Sequence, residues 1–180
     1  MWHYIQELII TTFLSVQFFF GGVGQITEQV PVANTEKDSV SVDAGATTTA
    51  LVTRVIDGDT IDVTLEEDSG TTRVRYIGID TPESSLDTNS ECGSAEATAR
   101  NSELVGGKTI ALVPGTGLYD KYGRLLAYVY VGDIFINETL LTEGLADTMT
   151  IPPNTEYYKK FTDLRNKARS DRIGIWESCR

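Results

Sequence analysis

The order of short β-branched runs along the chain is the feature that most restricts its fold. Three runs rich in Val, Ile and Thr precede an Ala- and Glu-rich helical segment, and two more runs precede two helical segments. Five short strands with a helix between the third and the fourth are the pattern of the OB-fold, a small Greek-key barrel. The sequence therefore predicts an α+β domain, mainly a five-stranded OB-fold-like barrel, with three helices. The predicted strands are 51–56, 60–65, 72–79, 108–113 and 124–131, and the predicted helices are 93–105, 134–143 and 155–170.

The first fifty residues differ in composition from the rest. Residues 8–24 begin with a mostly apolar run and end in the small-residue stretch Gly22-Val23-Gly24. An apolar core of about 7–15 residues before a small-x-small site is typical of a secretory signal. No Lys or Arg precedes Lys37, and so a membrane anchor with the domain outside the cell is the alternative to a secreted protein. The predicted parts are a signal peptide or anchor (1–24), a disordered linker (25–48) and the folded domain (49–180).

Three short motifs concentrate the chemically active side chains of the domain. Clustered carboxylates suit a hard cation, and arginines suit the oxygens of a phosphate. The single histidine, His3, lies at the N-terminus, which argues against a Ser-His-Asp triad or a His-rich zinc site in the folded domain. The motifs are Asp57-Gly58-Asp59-Thr60, Arg75-Tyr76-Ile77-Gly78-Ile79-Asp80-Thr81-Pro82-Glu83 and Asp120-Lys121-Tyr122-Gly123-Arg124.

The order, spacing and flanking residues of these motifs resemble the staphylococcal (micrococcal) nuclease family, also called the thermonuclease family. The resemblance runs from about Leu51 to Trp176. It implies an OB-fold and a Ca²⁺-dependent hydrolase, an endonuclease that cuts phosphodiester bonds of DNA and RNA with little sequence preference and leaves 3′-phosphate ends. It implies no protein partner, and we expect a monomer.

The resemblance also implies how a metal ion is bound. Asp59 follows a tight turn and Asp80 closes the third predicted strand, so adjacent strand ends bring the two carboxylates together. These aspartates match Ca²⁺ ligands of the family, together with the main-chain carbonyl of Thr81. Asp57 matches an acid that lies close behind them. Taken alone, Asp57-Gly58-Asp59 is explained better by a hairpin turn, and it is the joint pattern with the other motifs that favours a metal site.

Five further residues match positions that act on the substrate. Glu83 matches the general base, or the group that orients the attacking water. Arg75 and Arg124 match the arginines that hold the scissile phosphate, and Lys121 and Tyr122 match residues that contact a terminal phosphate of a nucleotide. A surface ion pair for Arg75 and a hairpin loop for Lys121 are the simpler interpretations. Arg73, on the same strand face as Arg75, is predicted to be solvated.

Two features depart from what a nuclease of this family requires. The stretch 147–153 contains no aromatic residue on which a base could stack. The formal net charge of −11 is opposite to the basic surface that usually supplies affinity for nucleic acid. The protein either works at high salt or directs its acidic surface away from a basic cleft. The alternative functions are a catalytically inactive OB-fold module that binds nucleic acid or protein, and a membrane-tethered scaffold.

The chain contains two cysteines, Cys92 and Cys179. The residues by themselves leave one disulfide and two unpaired thiols as alternatives. Exported members of the resembled family carry cysteines at similar places, and so the resemblance favours a disulfide and an exported protein.

Overall fold

The computed structural model describes residues 43–66, 68–84 and 90–179. The predicted signal or anchor lies outside these residues, as does most of the predicted linker. In the described part of the chain, no helix is long and apolar enough to cross a membrane.

The described residues form eight strands and four helices, and the five predicted strands and three predicted helices occur among them in the predicted order. The strands are β1 (Thr48–Val55), β2 (Thr60–Leu65), β3 (Thr71–Tyr76), β4 (Ile79–Asp80), β5 (Thr109–Tyr119), β6 (Leu125–Val131), β7 (Ile134–Phe135) and β8 (Asp147–Thr148). The helices are α1 (Ser94–Val105), α2 (Ile136–Thr142), α3 (Tyr158–Ser170) and the short α4 (Ile175–Ser178).

Five of the strands form a closed barrel. Strand β1 pairs antiparallel with both β2 and β5, while β2 pairs with β3 and β5 pairs with β6. A parallel pairing of β3 with β6, which places Arg75 opposite Leu126, closes the sheet. The predicted OB-fold-like α+β architecture is therefore confirmed, with a short fourth helix added.

The third predicted strand is too long. It ends at Tyr76 rather than at residue 79, and the chain turns at Gly78, whose φ is +83°. A Cβ on Gly78 would lie 2.7 Å from the ring of Phe161, so both the conformation and the packing require glycine there. The turn removes Asp80 from the barrel and places it in β4, where it pairs with Asp147 of β8.

The core lies between the barrel and the helices. Its barrel side is formed by fully buried residues such as Ile61, Val74 and Leu112. The predicted periodic face of α3 contributes Phe161 and Ala168, which are both buried. This packing anchors the strand ends that carry the site.

The two cysteines join the start of α1 to the end of the chain. Cys92 and Cys179 form a disulfide with their Cα atoms 5.6 Å apart, so the predicted pairing is confirmed. The helices also pack closely here, because a Cβ on Gly93 would lie 2.4 Å from Cγ2 of Ile175. The disulfide therefore reinforces a contact that the fold makes by itself.

Candidate active site

A buried ion pair between Asp59 and Arg75 forms the centre of the site. Asp59 directly precedes β2, and Arg75 pairs in register with Thr60 at the start of that strand. Oδ2 of Asp59 lies 2.9 Å from Nη1 of Arg75, and each residue is only 3% exposed. Buried charges are costly unless they are paired and hydrogen-bonded, and so each side chain restricts the position of the other.

Arg75 also reaches the predicted second metal ligand. Its Nη1 donates to the carbonyls of Tyr76 at 3.0 Å and Ile79 at 2.8 Å, while Nη2 donates to Oδ1 of Asp80 at 2.7 Å. Nη2 makes one more contact, at 3.5 Å, with Sδ of Met149. One guanidinium therefore holds β3, the turn after it and β4 together. The simpler interpretation of Arg75 as a surface ion pair is wrong, because this arginine is buried.

Hydrogen bonds fix the carboxylate of Asp59 in place. The backbone N–H of Thr81 donates to Oδ2 at 2.8 Å, and the hydroxyl of Thr60 donates to Oδ1 at 3.2 Å. Oδ1 of Asp57 accepts from the backbone N–H of Asp59 at 3.0 Å, so Asp57 lies immediately behind it. Burial raises the pKa of the Asp59 carboxyl, with Arg75 opposing the rise.

The turn between β1 and β2 has little room for rearrangement. A Cβ on Gly58 would lie 2.7 Å from Oγ1 of Thr81 and 2.8 Å from Cβ of Ala97. Nδ2 of the fully buried Asn101 donates to the carbonyl of Asp57 at 2.9 Å. Helix α1 thus presses the turn against the strand ends, and this packing brings the distant first and second motifs into contact.

The donor set around Arg75 suits a hard cation. The acidic groups Asp57 and Asp80 both oppose ionisation of Asp59 electrostatically, and burial raises the pKa of Asp80. An excess of carboxylate oxygens over basic groups is what a cation such as Ca²⁺ offsets. Among the described residues, no group of three or more His, Cys, Asp or Glu is arranged to hold a metal. A cation would therefore need backbone carbonyl and water oxygens beside Asp59 and Asp80.

A cleft of about 590 Å³ opens beside the guanidinium of Arg75. Asp59 and Thr81 are buried, and neither is among the residues that line the cleft. The predicted site residues that line the cleft are Arg75, Asp80, Glu83, Lys121, Tyr122 and Arg124. The structure therefore gathers the predicted catalytic and substrate-binding residues of the second and third motifs in one cleft.

Arg124 enters the cleft from the turn between β5 and β6. Oδ2 of Asp120 accepts from Nε of Arg124 at 2.7 Å, and Oδ1 accepts from the backbone N–H groups of Tyr122 and Arg124, each at 2.9 Å. Burial raises the pKa of Asp120, but these hydrogen bonds outweigh it and hold the pKa below its ordinary value. The terminal nitrogens of Arg124 form no hydrogen bond with other described residues, so they can donate into the cleft.

Glu83 lies at the exposed edge of the cleft. Its backbone N–H donates to Oε2 of Glu91 at 3.0 Å, and its carbonyl accepts from the N–H of Glu91 at 3.0 Å. Partial burial raises the pKa of Glu83, and the nearby charges of Asp57, Asp80 and Glu91 raise it further, with Arg75 acting in the opposite direction. A carboxylate with a raised pKa is a stronger base.

Lys121 and Tyr122 project from the same turn as Arg124. Tyr122 is 72% exposed, and Nζ of Lys121 lies 4.9 Å from the centre of its ring. Both predicted contact residues therefore have access to a bound substrate.

Sequence reasoning missed an aromatic residue in the cleft. Tyr119 is 55% exposed and lines the cleft, and the aliphatic residues Ile151 and Pro153 line it as well. The segment of Ile151 and Pro153 is joined to β5 by Asn154, whose side chain accepts from the N–H of Gly117 at 2.8 Å and donates to its carbonyl at 2.9 Å. The available signal was an aromatic residue directly before the third motif.

Comparison with known proteins identifies the family. Residues 73–178 match the model of a family described as "Staphylococcal nuclease homologue". The chain belongs to the staphylococcal nuclease family. The matched residues contain Arg75, Asp80, Glu83 and Arg124, while Asp59 lies before them.

Several curated proteins with nuclease names are similar to this chain. The SPbeta prophage-derived endonuclease YokF of Bacillus subtilis (strain 168) is 43% identical over 126 residues, which is 68% of this chain and 42% of that protein. Endonuclease YncB of the same strain is 43% identical over 126 residues, 68% of this chain and 59% of the relative. The thermonuclease of Staphylococcus intermedius is 38% identical over 130 residues, 71% and 75% of the two chains. The chain thus spans about half the length of the two Bacillus relatives.

Proposed function

We propose that this protein is a hydrolytic nuclease that cuts the phosphodiester bonds of DNA and RNA with little sequence preference. The observation that carries the proposal is the meeting of Arg75, Arg124 and Glu83 in one cleft, with Arg75 locked between Asp59 and Asp80. Preorganised donors aimed at developing charge are the usual source of catalysis in phosphoryl transfer. The relatives named endonuclease and thermonuclease support the same activity.

The two arginines would hold the scissile phosphate from different sides of the cleft. Asp120 uses only Nε of Arg124, and so the terminal nitrogens of Arg124 have no hydrogen-bond partner within the described part of the chain. Nη2 of Arg75 contacts Sδ of Met149 at 3.5 Å, and sulfur is a weak acceptor that a phosphate oxygen would replace. Losing one preorganised donor of this kind typically costs ~3–4 kcal/mol of barrier.

Glu83 would act as the general base. The oxygen of a water molecule attacks phosphorus while its proton passes to the carboxylate of Glu83. The bond from phosphorus to the 5′ oxygen breaks, and that oxygen takes up a proton as it leaves. The products are a strand ending in a 3′-phosphate and a strand beginning with a 5′-hydroxyl. Such a base typically contributes about 10²–10⁴-fold.

We propose Ca²⁺ as the metal cofactor, held by Asp59, Asp80 and the carbonyl of Thr81. When bound, the cation supplies positive charge beside the phosphate oxygens. The all-oxygen donor set is the kind that calcium prefers. The carboxylates that raise one another's pKa around Arg75 are the groups whose repulsion a cation would relieve.

We further propose that the protein is exported and acts outside the cell as a monomer. The disulfide between Cys92 and Cys179 supports this location, since such bonds persist in oxidising compartments. The predicted signal or anchor in residues 1–24 is consistent with the same route. Sequencing the N-terminus of the exported protein would show whether this segment is removed.

Digestion of DNA and RNA by the full chain tests the function. Reactions with calcium, with magnesium and with chelator are compared across a salt series, beside Arg124→Ala and the matched control Arg100→Ala. Arg100 carries the same charge and pairs with Glu143 on the helices rather than in the cleft. We expect calcium-dependent cleavage that Arg124→Ala abolishes and Arg100→Ala preserves. A folded protein that binds nucleic acid but cuts neither substrate would instead be a binding module.

A further inference from the structure

A second groove adjoins the cleft. It has a volume of about 470 Å³, and we call it the arginine groove; its lining residues are Asp62, Thr71, Arg73, Tyr122, Gly123 and Arg124. Tyr122 and Arg124 line both the arginine groove and the cleft. The two depressions therefore share a common boundary at the phosphate-binding arginine.

A row of charged residues crosses three strands beside the arginine groove. Arg54 of β1 pairs in register with Asp62 of β2, which pairs in register with Arg73 of β3. Nε and Nη2 of Arg73 donate to the carboxylate of Asp62 at 2.8 and 3.1 Å, and Nε of Arg54 lies 3.7 Å from it. Because two arginines share one carboxylate, the row keeps a net positive charge.

The arginines of this row remain accessible although they are held in place. The side chain of Arg73 is 48% exposed and that of Arg54 is 66% exposed, whereas Asp62 is buried. The expectation that Arg73 is simply solvated is thus incomplete, because Asp62 orients it. Nη1 of Arg73 makes no hydrogen bond to the described residues. An oriented guanidinium with unused donors at the surface is suited to a phosphate oxygen.

Tyr122 forms an exposed aromatic ridge between the arginine groove and the cleft. Lys121 and Arg124 place their cationic groups 4.9 and 5.5 Å from the centre of its ring. Any base can stack on such a ring, so a ridge of this kind accepts single strands without selecting their sequence. This local concentration of cations also stands out in a chain whose formal net charge is −11.

We propose that the arginine groove binds the phosphate backbone of a single-stranded polynucleotide whose neighbouring phosphate lies in the cleft. The proposal rests on the proposed nuclease function only in treating that strand as the substrate. A groove contact of this kind makes affinity depend on strand length. A dinucleotide, with its single linking phosphate in the cleft, would not reach Arg73.

Equilibrium binding of labelled single-stranded DNA tests the proposal. The full chain carries Glu83→Gln so that the DNA is not cleaved during the measurement. Fluorescence anisotropy then gives the affinity for a dinucleotide and for a 16-mer between 50 and 200 mM NaCl. In this background we compare Arg73→Gln, Arg73→Lys and Arg54→Gln with the control Arg100→Gln. Arg100 also has a bidentate pair with a carboxylate, that of Glu143, but it lies on α1.

We expect Arg73→Gln and Arg54→Gln to weaken binding of the 16-mer and to leave the dinucleotide unchanged. Each lost phosphate contact should make the slope of log affinity against log salt concentration shallower by about 0.7. The ratio of the parent's affinity to the variant's should therefore fall about 2.6-fold between 50 and 200 mM NaCl. Arg73→Lys should retain the slope because it retains the charge. Because Arg54 is largely exposed, its variant remains informative if Arg73→Gln disturbs folding.

The proposal would be overturned if Arg73→Gln and Arg54→Gln reduced the affinity for the dinucleotide and the 16-mer equally. It would also be overturned if they changed the salt-dependence slope no more than Arg100→Gln does. The separate digestion assay distinguishes a failure of the groove proposal from a failure of the proposed nuclease function. Arginine-dependent binding of the 16-mer by a protein that never cuts supports the groove and refutes the nuclease. Cleavage without length-dependent binding refutes the groove alone.

Discussion

Replacing both Cys92 and Cys179 with serine should lower the free energy of unfolding without affecting the cleft. The two residues are 87 positions apart, and the chain-entropy model gives ~4–5 kcal/mol for closing a loop of this length in the unfolded chain. The folded state should change little, because Gly93 and Ile175 already pack together beside the bond and the N–H of Ile175 donates to the carbonyl of Gly144 at 2.9 Å. The loss therefore arises in the unfolded ensemble.

Urea unfolding of the oxidised parent and the double variant measures this difference. With a denaturant slope of about 2 kcal/mol per molar urea, the midpoint should fall by about 2 M. The parent treated with reductant serves as a second measurement, since it should unfold at the midpoint of the variant. Cleavage rates at 25 °C should be the same, because neither cysteine lines the cleft. A loss below about 1 kcal/mol, or a variant that is folded but inactive, would refute the reasoning.

Three further predictions concern the site and its surroundings. Arg124→Lys should lower kcat by about 10²–10³-fold in steady-state assays, because a lysine cannot offer two parallel donors; a nearly unchanged kcat would argue against a bidentate clamp. Tyr119→Ala should raise KM for a dinucleotide, since stacking contributes ~1–3 kcal/mol per base, while Tyr119→Phe should not; equal KM values for the two variants would exclude stacking. The hydrogen bond from Arg73 lowers the pKa of Asp62 despite the opposing effect of burial, so its stabilisation is present above the unfolded pKa of about 4 and disappears as pH falls below it. In urea titrations from pH 5 to 2, Asp62→Asn should therefore show a shallower loss of stability than the parent, and parallel curves would contradict this.

The location of the strands could be predicted because their signal is local. Residues 60–65 form the predicted strand β2, and the strand predicted at 124–131 begins only one residue later, at Leu125. The β-branched and aromatic residues of these segments have the same preference in any context that buries one face. The end of β3 was predicted wrongly for the opposite reason. Its apolar run continues to Ile79, and only the packing of Phe161 against Gly78, from a helix more than eighty residues later, shows that the chain must turn.

The long extent of β5 could not be predicted either. The strand continues past residue 113 to Tyr119, through Pro114 and two glycines, which are normally strand-breaking residues. An irregular register with β6 between Pro114 and Tyr119 accommodates them, and Asn154 binds the backbone of Gly117. The position of Tyr119 on the cleft wall depends on this irregularity, and so the sequence alone did not reveal its role.

The sequence by itself determined the barrel class, the set of acidic and arginine residues to which we assign the chemistry, and the pairing partners available to its two cysteines. These properties depend on residue type and local spacing, which can be read directly from the sequence. Only the tertiary structure decided that Arg75 is buried between Asp59 and Asp80, that Arg124 faces the same cleft, and that Arg73 and Arg54 share Asp62 outside it. Those relations join residues from separate strands, and they exist only when barrel closure and the packing of α1 and α3 bring the strand ends together.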